Sequence, residues 1–174
     1  FVPGTFTLSA GNTLSSLNNL IEVTTRDIVL EGVITAGTDD IMFTTCNRND
    51  IGIGGTMPGT GLLNFKRSEL QNIICDDLKF ESPRGVVSVH YVESDDTKLV
   101  TGAVTINASS EAGRIVFNED ATFKTLLAYA GNGTVVALRI SIRSRISFRW
   151  MSGMRLLCPP SACVTCSING RVRS

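Results

Sequence analysis

The chain has 174 residues, 43% of them hydrophobic, which excludes disorder throughout and is enough for one domain with its own core. Aromatic residues make up only 6%, so that core is expected to be built mainly of Ile, Val and Leu. Net charge is zero but unevenly spread: every acidic residue lies at or before Asp120, and seven Arg follow from Arg139 to the end. No apolar run approaches the ~20 residues of a transmembrane helix. No signal peptide is visible, and the chain opens on Phe1, so it reads as a mature segment or a fragment of a longer protein.

Residues 1–24 are rich in Ser, Thr, Asn and Gly. Phe6 and Leu8 alternate. Leu14, Leu17, Leu20 and Ile21 have helix-like spacing, which also fits a segment crossing between two strands. From Thr25 a steady rhythm sets in, of two apolar residues flanking one that points the other way. The pulses are Ile28 and Leu30, Ile41 and Phe43, Ile51 and Ile53, Leu63 and Phe65, and Leu78 and Phe80. They continue through Val87 and Val89, Val104 and Ile106, Ile115 and Phe117, Leu126 and Ala128, and Val136 and Leu138. Period-two alternation predicts strands with one face buried, so Asn64 and Lys79 are expected to point outward. Only Ser68–Ile73 breaks the rhythm. It predicts a turn or a single helical turn, with Leu70 and Ile73 on one side.

The pulses recur at roughly 12-residue steps, so two strands make a unit of roughly 20–25 residues. Turns fall at Gly37–Asp40, Gly54–Gly55, Ser94–Asp96, Ser110–Gly113 and Gly131–Gly133. This is an all-β pattern. It fits either a β-solenoid with parallel strands or a β-sandwich with antiparallel neighbours. The weak hairpin signals favour the solenoid; the Asn132-Gly133 pair, a good type I′ turn, speaks for the alternative.

Two stretches carry a family resemblance. The first is DIGIG at 50–54, GLLNFKRSELQNI at 61–73 and DDLKF at 76–80. The second is GAVTINASSEAGRIVFNEDATFKTLLAYAGNGTVVAL at 102–138. Together they resemble the repeats of filamentous-haemagglutinin-like surface proteins, over roughly residues 25–138. The resemblance implies a right-handed parallel β-helix that forms one slice of a long secreted or cell-surface protein. The Cys residues and the Arg-rich tail depart from the family pattern. Residues 1–138 are therefore expected to form a solenoid module. Residues 139–174 are expected to form a basic, Cys-containing tail, either an end coil or disordered.

Candidate chemistry is sparse, and no catalytic, cofactor-binding or metal-binding residue is assigned. Cys158, Cys163 and Cys166 have the C-x4-C-x2-C spacing that opens an iron–sulfur run, but the fourth Cys is missing. His90 is the only histidine, too few for a zinc site, and is expected to face solvent. Cys46 and Cys75 lie beside strand pulses and are expected to pack rather than pair. The acidic pairs Asp39-Asp40, Asp76-Asp77, Asp95-Asp96 and Glu119-Asp120 sit where Asp serves turns. A polysaccharide lyase or hydrolase would instead gather such carboxylates on one face. Gly52–Gly55 lacks the Gly-Lys-Ser/Thr of a phosphate loop. Asn107 and Asn132 head glycosylation triplets.

The tail alternates Ile140, Ile142, Ile146 and Phe148 with Ser and Arg, which allows one more strand pair. It reads as a basic arm for nucleic acid or polyanions, as an edge charged against aggregation, or as a segment that is not a native continuation. The expected function is a structural or adhesive repeat module, extracellular or cell-surface, without catalysis, cofactor or membrane span. Its partners would be flanking repeats of the same protein and host or matrix glycans or proteins. No nucleic-acid partner is expected; the alternatives are a carbohydrate-active β-helix enzyme (lyase or hydrolase) and nucleic-acid or polyanion binding through the Arg-rich tail.

Overall fold

The structure is a computed structural model that describes residues 4–46, 49–55, 63–131, 134–137, 140–148 and 155–156. Its strands in chain order are β1 (Thr5–Leu8), β2 (Thr13–Ser15), β3 (Ile21–Thr25), β4 (Asp27–Leu30), β5 (Val33–Thr35), β6 (Ile41–Thr45), β7 (Ile51–Ile53) and β8 (Leu63–Phe65). One helical turn, α1 (Arg67–Leu70), follows. Then come β9 (Ile73–Ile74), β10 (Leu78–Glu81), β11 (Val86–Val89), β12 (Val104–Ala108), β13 (Arg114–Phe117), β14 (Ala121–Ala130), β15 (Thr134–Ala137), β16 (Ile140–Phe148) and β17 (Arg155–Leu156).

The chain is all-β, and every ladder between these strands is parallel. One six-stranded sheet runs β3-β6-β10-β12-β14-β16, with its strands in sequence order. A second runs β8-β7-β11-β13-β15-β17; a three-stranded sheet runs β2-β5-β9, and β1 pairs with β4. The antiparallel neighbours that the sandwich alternative requires do not occur among the described residues. Consecutive strands lie in different sheets, except β7 and β8. β14 and β15, on either side of Asn132-Gly133, belong to different sheets; that pair itself lies outside the described residues.

Register is set by the apolar pulses. Ile21 faces Ile41, Ile41 faces Leu78, Leu78 faces Val104, and Val104 faces Leu126. One position along, Val23, Phe43, Phe80, Ile106 and Ala128 form a second column. A slip of one residue would turn both columns outward, and this is what fixes the pairing. Ile51, Ile53, Leu63, Phe65, Leu78 and Phe80 are all buried, and Lys79 points outward, as the alternation requires. The five largest fully buried side chains are all Phe: Phe43, Phe65, Phe80, Phe117 and Phe123. The aromatic content is low, but most of the Phe sits at the centre. Phe65 lies edge-on between Phe43 and Phe80, with ring centroids 4.7 and 4.9 Å away.

Of the two fits open for Leu14, Leu17 and Leu20, the segment crossing between strands is the one found: β2 and the connection to β3 hold them, and Leu17 is 83% exposed. Two expectations are revised. The spacing between paired strands is not uniform, because Ile41 pairs with Leu78 across a longer stretch of chain that contains β7, β8 and α1. Nor do β7 and β8 follow each other around one coil. They are adjacent parallel strands of one sheet, with β7 between β8 and β11. Adjacent parallel strands need a crossover connection rather than a hairpin, and this accounts for the extra length. Beyond residue 138, the backbone of Ile140–Phe148 pairs with β14 and extends the first six-stranded sheet, with a register irregularity between Phe123 and Thr125.

Candidate functional site

The densest polar assembly lies around α1, between Leu30 of β4 and the segment after β11. The turn forms because Glu69 closes it: its Oε2 accepts the backbone N–H of Lys66 at 2.8 Å. Its Oε1 accepts the N–H of Leu30 at 3.1 Å. Glu69 is 5% exposed, so these two bonds are what make burial of its carboxylate tolerable. The Asn72 side chain donates to the carbonyl of Leu30 at 3.0 Å. Leu70 and Ile73 enter the core on the same side, as their spacing predicts.

The outer side of the turn reaches the segment after β11. Asp96 is fully buried and both of its oxygens are engaged. Oδ1 accepts Gln71 Nε2 at 2.8 Å, while Oδ2 accepts Arg67 Nε and the Glu93 N–H, each at 2.8 Å. Arg67 also pairs with Glu93 through Nη2, and its Cζ lies 5.0 Å from the Tyr91 ring centroid. Tyr91 Oη donates to Glu93 Oε1 at 2.6 Å. The hydrogen bond to Asp96 is the main cause holding the Arg67 pKa above its ordinary value. The Tyr91 bond, followed by the Arg67 bond, holds the Glu93 carboxyl below its ordinary range. That same bond to Glu93 raises the Tyr91 phenol. Each charge in the cluster has a partner inside it. The arrangement therefore clamps the α1 turn between Leu30 on one side and the 91–97 segment on the other.

A second assembly brings together two of the acidic pairs singled out in the sequence. The Asp76 N–H donates to the Asp39 carbonyl at 2.9 Å, and the Asp77 N–H to Asp40 Oδ1 at 3.2 Å. Asp77 Oδ1 in turn accepts the Ala103 N–H at 2.7 Å, and Asp76 Oδ1 accepts Thr101 Oγ1 at 2.8 Å. Lys79 pairs with Asp40, and this hydrogen bond raises the lysine's pKa. The pairs thus meet beside the starts of β6 and β10, where carboxylate oxygens of Asp39, Asp40 and Asp77 accept main-chain N–H groups, the role expected of turn Asp. Asp96 also closes its own turn, because its N–H donates to the Glu93 carbonyl at 3.0 Å.

His90 is on the outer side but more covered than expected, with 15% of its side chain exposed. Asn118 Nδ2 lies 3.0 Å from its Nε2, and Glu119 Oε1 lies 3.7 Å from its Nδ1. Gly54 and Gly55 make a turn with φ of 79° and 62°. A Cβ on Gly54 would lie 2.7 Å from the Tyr91 carbonyl, so a glycine is needed there for close approach. Cys46 and Cys75 are buried free thiols, as packing rather than pairing would have them. Burial pushes the Cys75 thiol up to about 12. Cys158, Cys163 and Cys166 lie outside the described residues, as does Asn132. Asn107 is partly buried, and its Oδ1 accepts the Ser109 N–H at 3.1 Å. Among the described residues no three His, Cys, Asp or Glu side chains are grouped to hold a metal ion. No helix among them is long and apolar enough to cross a membrane, which leaves membrane-spanning strands unaddressed.

Sequence reasoning missed Arg67, Glu69, Gln71, Tyr91 and Glu93 as a unit. A signal was available: Arg67 and Glu93 are separated by 26 residues, the same offset that pairs Leu78 with Val104. No family model, curated protein or solved structure matches the chain.

Proposed function

We propose that the chain is a right-handed parallel β-helix, and that it serves as a structural or adhesive repeat module of a larger secreted or cell-surface protein of the filamentous-haemagglutinin-like kind. The observation that carries this reading is the stack itself. Strands equivalent from coil to coil pair in parallel around one continuous apolar core, so the body lengthens by adding coils without needing a new core. The outward positions along the main sheet are Glu22, Met42, Lys79, Thr105 and Leu127 in one column and Thr24, Thr44, Glu81, Asn107 and Tyr129 in the next. Such columns offer hydroxyl, amide and carboxylate groups at the ~4.8 Å spacing of adjacent strands, a surface suited to glycans or proteins of a host or matrix. Flanking repeats of the same protein would stack on the open edges of the sheets.

The carbohydrate-active enzyme is the second reading. One observation favours it, the meeting of Asp39, Asp40, Asp76 and Asp77 at one corner. Against it, these carboxylates cap backbone groups or pair with Lys79 instead of converging on an open site. The polyanion reading rests on the Arg-rich sequence of the tail. The test is to coat beads with the purified chain and measure adherence to glycan- and matrix-coated surfaces, alongside incubation with an acidic polysaccharide. Adherence without loss of polymer length is expected. Degradation that disappears in an Asp76→Asn/Asp77→Asn variant would overturn the scaffold reading in favour of the enzyme.

A further inference from the structure

β4 pairs with β1 on one side, and on the other it lies beside β8, the edge strand of the second six-stranded sheet. Among the described residues no ladder joins β4 to β8. The Glu31 N–H donates to the Leu8 carbonyl of β1, so by alternation the main-chain groups of Ile28 and Leu30 point away from β1. Side chains bond these groups where a strand would otherwise do so. The Ile28 N–H donates to Asp27 Oδ1 at 2.9 Å. The Leu30 N–H donates to Glu69 Oε1 at 3.1 Å, and the Leu30 carbonyl accepts Asn72 Nδ2 at 3.0 Å. Glu69 and Asn72 thus give one residue both an acceptor and a donor, as a neighbouring strand would.

The surroundings of this break are laddered. β6 pairs with β10 and β5 with β9, so two other sheets run across it without interruption. α1 is held more firmly on its far side than on this one. Arg67 and Gln71 both bond the fully buried Asp96 at 2.8 Å, and the Arg67 contact is a salt bridge. Hydrogen bonds between charged partners are roughly twice as strong as neutral ones. On the β4 side the Asn72 bond is neutral, and the Glu69 carboxylate is shared with the Lys66 N–H.

We propose that the junction of β4 with α1 is a latch, the point at which this fold opens first. β4 separates from Glu69 and Asn72, while α1 stays on the 91–97 segment and the first six-stranded sheet stays laddered. Opening bares the Leu30 N–H and carbonyl, an edge with which an extended segment can pair. The proposal depends on the break between β4 and β8 and is independent of the stalk reading.

The test is amide hydrogen exchange on the full chain, read residue by residue by nuclear magnetic resonance and corrected for intrinsic rates. Leu30 is 1% exposed, so its amide meets water when the junction opens. It should exchange at least about tenfold faster than the amides of Ile41 and Leu78, whose bonds lie in the first six-stranded sheet. Asn72→Ala removes a bond to the Leu30 carbonyl and leaves Glu69, the partner of the Leu30 N–H, in place. It should still speed the Leu30 amide by a further ~tenfold, while the amides of Ile41, Leu78 and Lys66 change by less than ~threefold. A Leu30 amide as slow as that of Ile41, a Leu30 amide indifferent to Asn72→Ala, or a variant that speeds all four amides equally would each overturn the proposal. A variant that fails to fold would do so too, because the sheets would then depend on the junction.

Discussion

Phe80 is the most informative side chain to remove. It is fully buried, lies edge-on to Phe65 at 4.9 Å and stacks with Phe43 at 6.1 Å. The three rings belong to β10, β8 and β6, so the cluster ties the two six-stranded sheets together. Truncating a buried Phe to Ala costs about 3–5 kcal/mol, from lost transfer free energy plus the cavity left behind. Each aromatic pair contributes ~0.5–1.5 kcal/mol of that. Phe80→Leu, which keeps apolar volume but loses both ring contacts, should cost ~1–3 kcal/mol. With a urea slope of ~2 kcal/mol per molar, Phe80→Ala moves the unfolding midpoint down by about 2 M, and Phe80→Leu by about 1 M. The assay is urea unfolding followed by circular dichroism, with hydrogen exchange to locate the loosened strands. Exchange should rise first at β6, β8 and β10. A midpoint shift below ~0.5 M for Phe80→Ala would mean that the ring is not a tie between the sheets, and the register would be wrong.

Other outcomes follow from the same geometry. Asp76→Asn/Asp77→Asn keeps oxygens that can accept the Thr101 and Ala103 bonds, so it should change stability by no more than ~1 kcal/mol in thermal melts; a collapse of the fold would show that the charges themselves hold the corner. Cys75 is protonated in the folded chain up to about 12, against an ordinary value of 9.0. The unfolded chain releases this proton first, so stability falls as pH rises from about 9.0 towards about 12, and Cys75→Ala should flatten that slope. At neutral pH, Cys75 in the folded chain should resist alkylation, which mass spectrometry reads directly. Truncation after residue 138 removes β16 and β17 and bares one side of β14 and β15; on the proposed solenoid reading the preceding strands should keep their β circular dichroism, because each coil of a solenoid touches only its neighbours. Loss of that signal in a truncation that remains monomeric would make the tail an integral part of the core.

Much of the architecture was legible because alternation is a short-range signal. Leu78-Lys79-Phe80 states its own orientation: a lysine between two large apolar residues in a strand faces out. The helical turn at 67–70 was marked by the break in that rhythm and by the spacing of Leu70 and Ile73. What could not be read was which strand lies beside which. Ile51 and Leu63 look like successive steps around a coil, and nothing local reveals that β7 and β8 are neighbours in one sheet. Leu14, Leu17 and Leu20 left two fits open for a related reason: leucines three apart imply a helix face only where something covers them, and these are exposed. The clamp at Arg67, Glu93 and Asp96 was hidden because its members are distant in sequence and charged. Charged residues read as solvated surface until the register brings them together, as it does for the fully buried Asp96.

The parallel stack is tested most directly by scalar couplings across backbone hydrogen bonds, measured by nuclear magnetic resonance on the full chain. Three bonds repeat the same position from strand to strand of the first six-stranded sheet: Ile21 N–H to the Asp40 carbonyl at 3.1 Å, Ile41 N–H to Asp77 at 3.0 Å, and Leu78 N–H to Ala103 at 2.9 Å. Couplings between these three pairs are the expected result. Couplings that instead join each strand to the next in sequence, with the paired directions of an antiparallel ladder, would contradict the parallel stack and everything built on it.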